Sequence, residues 1–328
     1  MDQARSFFLN QFWPYCEKHG VEHVFHLGDL VDRRKYVNFL TAKLNREAFV
    51  QPAQELGVDV DIIAGNHDVY FNNTLEVNAL DELLSPHDNI RVITEPTVIT
   101  VDGVRFLMLP WICQDNELET MELVKRTDAI YCMGHLEFKG YDYYRGVPAE
   151  HGRSPEPFEK FHRVCTGHYH TQSHKGNIHY VGAPYEMVWS DYDDPRGFWV
   201  FDTKTHEFEF VLNPDRMHHK VHLDDDEIGF TPGAYRDKVV KLIVPKRADP
   251  KKLEQLINAL ESESPTNIQV VDDHLNMDAL SEVEMVEEIG DTLKLLRECV
   301  EAVADEEDRE ELTQLMTELY NEAQQARV

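Results

Sequence analysis

The chain has 328 residues, 42% hydrophobic and 28% charged, which is enough to bury a large core with smaller domains beside it. Its formal net charge of −29 argues against unaided, high-affinity binding to a phosphate backbone, because such binding is built from Lys and Arg contacts, and equally fits an acidic surface that confers solubility. With no run of 18 apolar residues, no signal-peptide pattern in MDQARSFFLNQFWPY, and five scattered cysteines lacking any CxxC pair, the sequence points away from a membrane span, a secreted disulfide framework and a zinc knuckle, and toward a cytoplasmic protein.

In chain order, VEHVFHL (21–27) and VDVDIIA (58–64) read as strands, and the apolar spacing of VNFLTAKLNREAFVQPAQEL between them predicts a helical crossover, hence a βαβ unit. The segments HLGDLVDRR and IAGNHDVY then fall just after strand C-termini, where open α/β sheets place their ligands. From about residue 90 short strands dominate: NIRVITEPTVITVDGVRFLMLPW, DAIYCMGH, RVCTGHYH, NIHYVGAP and RGFWVFDTKTHEFEFVL, punctuated by Gly, Pro, Asn and Asp. Beyond residue 215, KVVKLIVP, PKKLEQLINALES and NIQVV predict strand, helix and strand. The expected organisation is a large α/β domain over 1–214, a small α/β cap domain over 215–275, and a C-terminal helical pair over 276–328. The helical pair carries two apolar stripes, one of Leu293, Leu296, Val300 and Val303 and one of Leu312, Leu315, Met316, Leu319 and Tyr320, on otherwise acidic helices. These stripes either fold back on their own domain or meet a partner helix; the solvated link ADEEDREE favours a partner.

Asp29 offers a carboxylate able to bridge two ions, Asn66 a neutral amide oxygen, and His135, His168 and His170 imidazoles, all from loops at strand ends. Mixed oxygen and imidazole donors without thiolate suit manganese, iron or zinc better than magnesium. Two such ions about 3.5–4 Å apart are a standard device for attacking a phosphodiester. Each motif is weak by itself: GD is a turn signal, and a lone Gly-His is more often a structural histidine.

The ordered set is specific. GDxxD, GNHD, GH and GHxH, each after an expected strand, resemble the calcineurin-like metallophosphoesterases. Within them, PWICQDN, GHLEFKGYDYYRG and VGAPYEMVWSDYDDPRGFWVFDTKTHEFEFV are similar to nuclease subunits of SbcCD-type DNA repair complexes, including those of T-even-like phages. Serine/threonine phosphatases share GDxVDR but continue with Arg-Gly-Asn-His-Glu, where this chain has Ala-Gly-Asn-His-Asp. The resemblance implies a metallophosphoesterase β-sandwich flanked by helices. It also implies a DNA exo/endonuclease that uses two divalent ions, most simply Mn2+, with an SbcC-type coiled-coil ABC ATPase receiving the C-terminal helices, in a heterotetramer built on a homodimer. Asp29 would bridge the ions; Asn66, His135 and His168 would complete one site and His170 would belong to the other. His67 would act on the scissile phosphate, while Asp32 and Asp68 would orient the ligand loops without binding metal.

One departure stands out. The family opens with a strand ending in Asp-x-His, whereas the residues before Gly28 hold no such motif and align with the helix that follows that strand. The first strand is therefore expected to be missing. A misassigned start or truncated gene, a split gene, and a one-metal or catalytically impaired binding subunit are the competing explanations, and a small-molecule phosphodiesterase, which would need no partner helices at its C-terminus, is a further alternative to the nuclease.

Overall fold

The structure, a computed structural model, describes residues 2–223, 233–245, 247–272, 312–313 and 315–316. Two compact units emerge. One holds the described residues up to Glu186 together with Asp193–Arg216, and the other holds Met187–Tyr192 together with the described residues from Met217 onward.

The first unit opens with helical segments Asp2–Phe7, Phe8–Phe12 and Trp13–His19, the middle one a π-turn, and Gly20 ends the run in the left-handed conformation. Strand β1 (His23–His26) leads to the crossover, itself helical over Phe39–Asn45, Arg46–Val50 and Gln51–Leu56, again with a π-turn in the middle. The sequence explains that π-turn. Pro52 has no N–H to give to the carbonyl of Ala48, and the indole Nε1 of Trp13 donates to that carbonyl instead, at 2.8 Å. The crossover delivers β2 (Asp59–Ile63), parallel to β1, and β3 (Ile90–Ile93) then pairs parallel with β2 in a sheet of order β1-β2-β3.

The second sheet begins with the hairpin β4 (Thr97–Val101) and β5 (Val104–Leu109), turned at Asp102-Gly103, both at positive φ. It continues through β6 (Tyr131–Gly134), a small hairpin β7 (Asp142–Tyr144) and β8 (Val147–Pro148), then β9 (Arg163–Thr166), β10 (Ser173–Lys175) and β11 (Ile178–Tyr180). Its order is β10-β11-β9-β6-β5-β4, with β5, β6 and β9 parallel. Strands β12 (Gly197–Phe201) and β13 (Phe208–Leu212) form a further hairpin.

The layering follows from side-chain alternation. In β5, Phe106 and Met108 point into the core shared with Ile63 and Ile93 of the first sheet, while Leu107 and Leu109 point to the other face. That other face is covered by the helix Glu117–Arg126 through Val124, with Phe158 and Phe161 beside it. On the first sheet Val60 and Ile62 of β2 pack under Trp13 and Phe49 from the helical segments above and Leu80 from a further helix, Ala79–Leu84. The result is an α/β fold in which two sheets pack face to face, with helices outside both.

In the second unit, β14 (His218–His222), β15 (Val239–Val244) and β16 (Asn267–Asp272) form a parallel sheet, and the helix Pro250–Ser262 covers it through Leu256 and Leu260. The segment Met187–Tyr192 belongs here. Asp191 accepts from the amides of Met187 and Val188, and the ammonium of buried Lys241 sits 4.1 Å from the Trp189 ring centroid. Thus the chain leaves the first unit once before the expected boundary near residue 215 and finally at Arg216. Among the described residues no helix is long and apolar enough to cross a membrane. Of the C-terminal stripes, Leu293, Leu296, Val300, Val303, Leu319 and Tyr320 lie outside the described residues. Leu312 is in helical conformation, as are the exposed Leu315 and Met316.

Candidate metal centre

Four loops carry the candidate donors, and each leaves the C-terminal end of a parallel strand: Asp29 after β1, Asn66 after β2, His135 after β6 and His168 after β9. The two sheets of the sandwich therefore contribute two donors each. The donor atoms of Asp29, His135 and His168 all lie within 4.8 Å of one another. Asn66 Oδ1 is 2.9 Å from both His135 Nε2 and His168 Nδ1, and His135 Nε2 is 3.1 Å from Asp29 Oδ2. His170 lies outside this cluster, although its charge is felt by His168. Two of the donors hold strained backbone, Asp29 at φ 55° and His168 at φ 81°.

Orientation comes from the surrounding backbone. The Nδ1–H of His135 donates to the Leu27 carbonyl at 2.7 Å, which turns Nε2 toward the other donors. Asp68, fully buried, accepts from the amides of Asp29 (2.7 Å), Gly65 (2.8 Å) and Val31 (3.2 Å), so a single carboxylate ties the loop of Asp29 to the loop of Asn66. Asp32, expected to hold that loop, is instead exposed, and its contribution is its carbonyl, which accepts from His67 Nδ1 at 2.9 Å. The His67 amide in turn donates to Asp29 Oδ1 at 2.9 Å.

The glycines of the motifs are there because backbone approaches backbone. A Cβ on Gly28 would sit 2.5 Å from His135 Nδ1, and one on Gly65 would sit 2.2 Å from Asp29 Oδ1. Gly167, before His168, similarly faces the Leu27 carbonyl at 2.5 Å. Sequence reasoning marked the donors and missed these neighbours, although the recurring glycine before each donor was the available signal.

Electrostatics fit a cation. Burial alone would lower the pKa of His135, but the Asp29 carboxylate outweighs it and raises it. Burial likewise works to raise the pKa of Asp29, and His135 and His67 overcome it, so Asp29 titrates below the usual carboxylate range. His168 is lowered to about 3 by burial and by the charge of His135. Burial first, then the like charge of Asp29, raises the pKa of Asp68, while its amide bonds oppose the shift. With its Nδ1–H given to Leu27, His135 meets two acceptor oxygens at Nε2. A cation placed there would serve the carboxylate, the amide oxygen and both imidazoles together. A mixed O,N donor set without thiolate suits a divalent transition metal. Just outside, Arg34 lies with its guanidinium carbon 5.4 Å from the Trp111 ring centroid. Burial lowers its pKa, and the Asp29 carboxylate opposes that shift.

A sequence profile of the calcineurin-like phosphoesterases matches residues 4–172. Over 323 residues the chain is 32% identical to Exonuclease subunit 1 of Enterobacteria phage T4, an alignment covering 97% of this chain and 92% of that protein. Donors gathered at the strand ends of a two-sheet sandwich, a family profile spanning half the chain, and a relative aligned along nearly all of it make this protein a member of the calcineurin-like phosphoesterases, hydrolases of phosphate esters.

Proposed function

We propose that the chain is a divalent-metal-dependent DNA nuclease, an exo/endonuclease that hydrolyses phosphodiester bonds as one subunit of a recombination and repair complex. The observation that carries this reading is the convergence of Asp29, Asn66, His135 and His168, with His67 hydrogen-bonded at their edge. In this reading those four hold one ion, and Asp29 shares a second ion with His170; Mn2+ suits the donor set. Bound ions of this kind supply an activated water and neutralise charge developing on the phosphate. His67 does the rest from the protein side. Its Nδ1 is committed to the Asp32 carbonyl, so the ring is fixed and the other nitrogen is left to stabilise the phosphate or protonate the leaving oxygen. Asp68 and, through its carbonyl, Asp32 keep the loops in place.

The relative's name calls it a subunit, which supports a complex here too. The partner we propose is an SbcC-type coiled-coil ABC ATPase that contributes basic surface and docks on the C-terminal stripes, with two copies of each chain assembled in the cytoplasm. Residues 1–214 would form the nuclease domain, 215–275 a cap and 276–328 the docking helices. A second reading, a binding subunit with impaired catalysis, follows from the donor count, since the second ion has two of the named donors, Asp29 and His170, against four for the first.

The test is Mn2+-dependent nucleotide release from linear duplex DNA by the chain together with its ATPase. Replacing His67 by Ala should lower cleavage by about 100-fold or more with metal content unchanged, whereas His168→Ala should lose both. Metal loss in the His67 variant would make His67 a ligand and overturn the assigned role. Absence of cleavage by the wild-type complex would leave the binding-subunit reading.

A further inference from the structure

Close in sequence to the donor loops, the first unit displays partly exposed cationic and aromatic side chains. Arg33, Arg34 and Lys35 follow the Asp29–Asp32 loop directly, a concentration of positive charge in a chain of net charge −29. Arg34 is held in place. Its guanidinium lies against Trp111, whose amide donates to the Ala64 carbonyl at 2.8 Å and whose carbonyl accepts from Asn116 at 3.0 Å. It makes no ion pair among the described residues, yet it is near enough to Asp29 for that carboxylate to act on it.

The second element is the loop after Asp68. Val69 is fully buried and bridges to Asn78, the Tyr70 amide donates to the Val77 carbonyl at 2.9 Å, and the Ala79 amide donates to the Asp68 carbonyl at 2.7 Å. This tied base presents Tyr70 and Phe71, 40% and 45% exposed, with ring centroids 4.7 Å apart at 69°. They stand three and four residues from His67, within about 10–14 Å of it by chain reach.

We propose that Arg34 and the Tyr70–Phe71 pair form a ledge that receives one unpaired nucleic-acid strand beside the metal centre, with Arg34 holding a backbone phosphate and the aromatic pair stacking a base. The proposal rests on the nuclease reading and adds how the strand is selected. A planar guanidinium matches a phosphate in a way no exposed carboxylate-rich surface can, and an aromatic face stacks any base without reading its identity. A base reaches such a face only once it has left its duplex partner. The ledge therefore favours single-stranded or frayed DNA over blunt duplex.

The experiment measures weak binding, at micromolar protein, of a fluorescein-labelled single strand of about 12 nucleotides and of the matching blunt duplex by the full-length protein, by anisotropy at about 0.15 M salt, which screens the chain's own negative charge, with Ca2+ replacing Mn2+. The wild type should prefer the single strand. Tyr70→Ala with Phe71→Ala should weaken single-strand binding about tenfold and erase the preference. Arg34→Ala should weaken it comparably, and Arg34→Lys should recover part of the loss. Metal content and thermal melting should stay at wild-type values in all of them. No single-strand preference in the wild type, or unchanged affinity in the variants, would overturn the ledge and leave these side chains to a protein partner. Lowered metal content or melting in the variants would also overturn it, assigning them to the support of the ligand loops. Because no cleavage is measured, failure of the nuclease reading is separate and appears only in the Mn2+ digestion assay.

Discussion

At the scale of single residues the centre depends on what is absent as much as on the donors. A methyl group on Gly65 would meet Asp29 Oδ1 at 2.2 Å and the Asp29 amide at 2.5 Å, positions it cannot share with atoms that are themselves fixed by Asp68 and His67. Gly65→Ala should therefore lower metal affinity by about 10- to 100-fold, the usual cost of disturbing the groups that orient a ligand. Gly103→Ala is the control. Unlike Gly65 it needs a left-handed residue, φ 81°, but has open space around it, so it should cost stability of about 1 kcal/mol and leave metal affinity alone. Calorimetric titration of both variants with Mn2+ checks the pair, and equal losses would refute the steric account. The strand-end placement of Asp29, Asn66, His135 and His168 was legible in the sequence because apolar runs and the glycines that end them are local. The anchoring of the Asp29 loop by Asp68 and not by Asp32 was not legible, since both lie near a ligand in sequence and only the fold says which carboxylate is buried against the amides.

At the scale of elements, β2 carries a buried carboxylate whose partners come from both neighbouring strands. Asp61 is 2% exposed, accepts from Arg91 Nε at 2.5 Å and Nη2 at 2.8 Å, and lies 2.8 Å from His23 Nε2. Arg91 stands directly opposite in the register of β3. Burial works to raise the pKa of Asp61, and the bonds from His23 and Arg91 overcome it, so the folded value lies below the unfolded one of about 3.9. A depressed folded value means stability that is present above about pH 4 and is lost as the pH falls through the folded pKa. Asp61→Asn should thus cost about 2 kcal/mol at pH 7 and flatten the acid limb of the stability curve. Urea unfolding at a series of pH values measures this, and parallel acid limbs would show that another carboxylate dominates. The elements themselves were mostly readable: the βαβ unit, the strand run from residue 90, and the strand-helix-strand of the second unit follow apolar periodicity. Strand β14 was missed because RMHHKVH is polar, with three histidines where strands usually place aliphatics, and the buried positions His218 and Val221 emerge only from its pairing with β15. The helix Glu117–Arg126 was missed as well, an acidic stretch whose buried residues are Thr120 and Val124.

At the scale of the whole molecule, a net charge of −29 has to be offset before a polyanion can be held tightly, and the proposed ATPase partner supplies that offset. The apolar side chains of Leu315 and Met316, 49% and 37% exposed on helical backbone, are where the sequence places a docking stripe. Leu315→Asp with Leu319→Asp should abolish co-purification with the ATPase and ATP-stimulated digestion of duplex DNA while leaving metal content intact, because two charges in a buried stripe would be desolvated without partners. Pull-down at wild-type strength would remove the docking proposal. The sequence by itself determined the local facts: period-2 runs became strands, the crossover period became a helix, and glycine-donor pairs fell at strand ends, since each depends on neighbours a few residues away. Only the tertiary structure decided that donors more than 100 residues apart meet within hydrogen-bond distance, that Asp68 is the carboxylate holding their loops, and that Met187–Tyr192 leaves the first unit for the second. These are long-range pairings, fixed by which faces two sheets can bury against each other, and no local pattern encodes them.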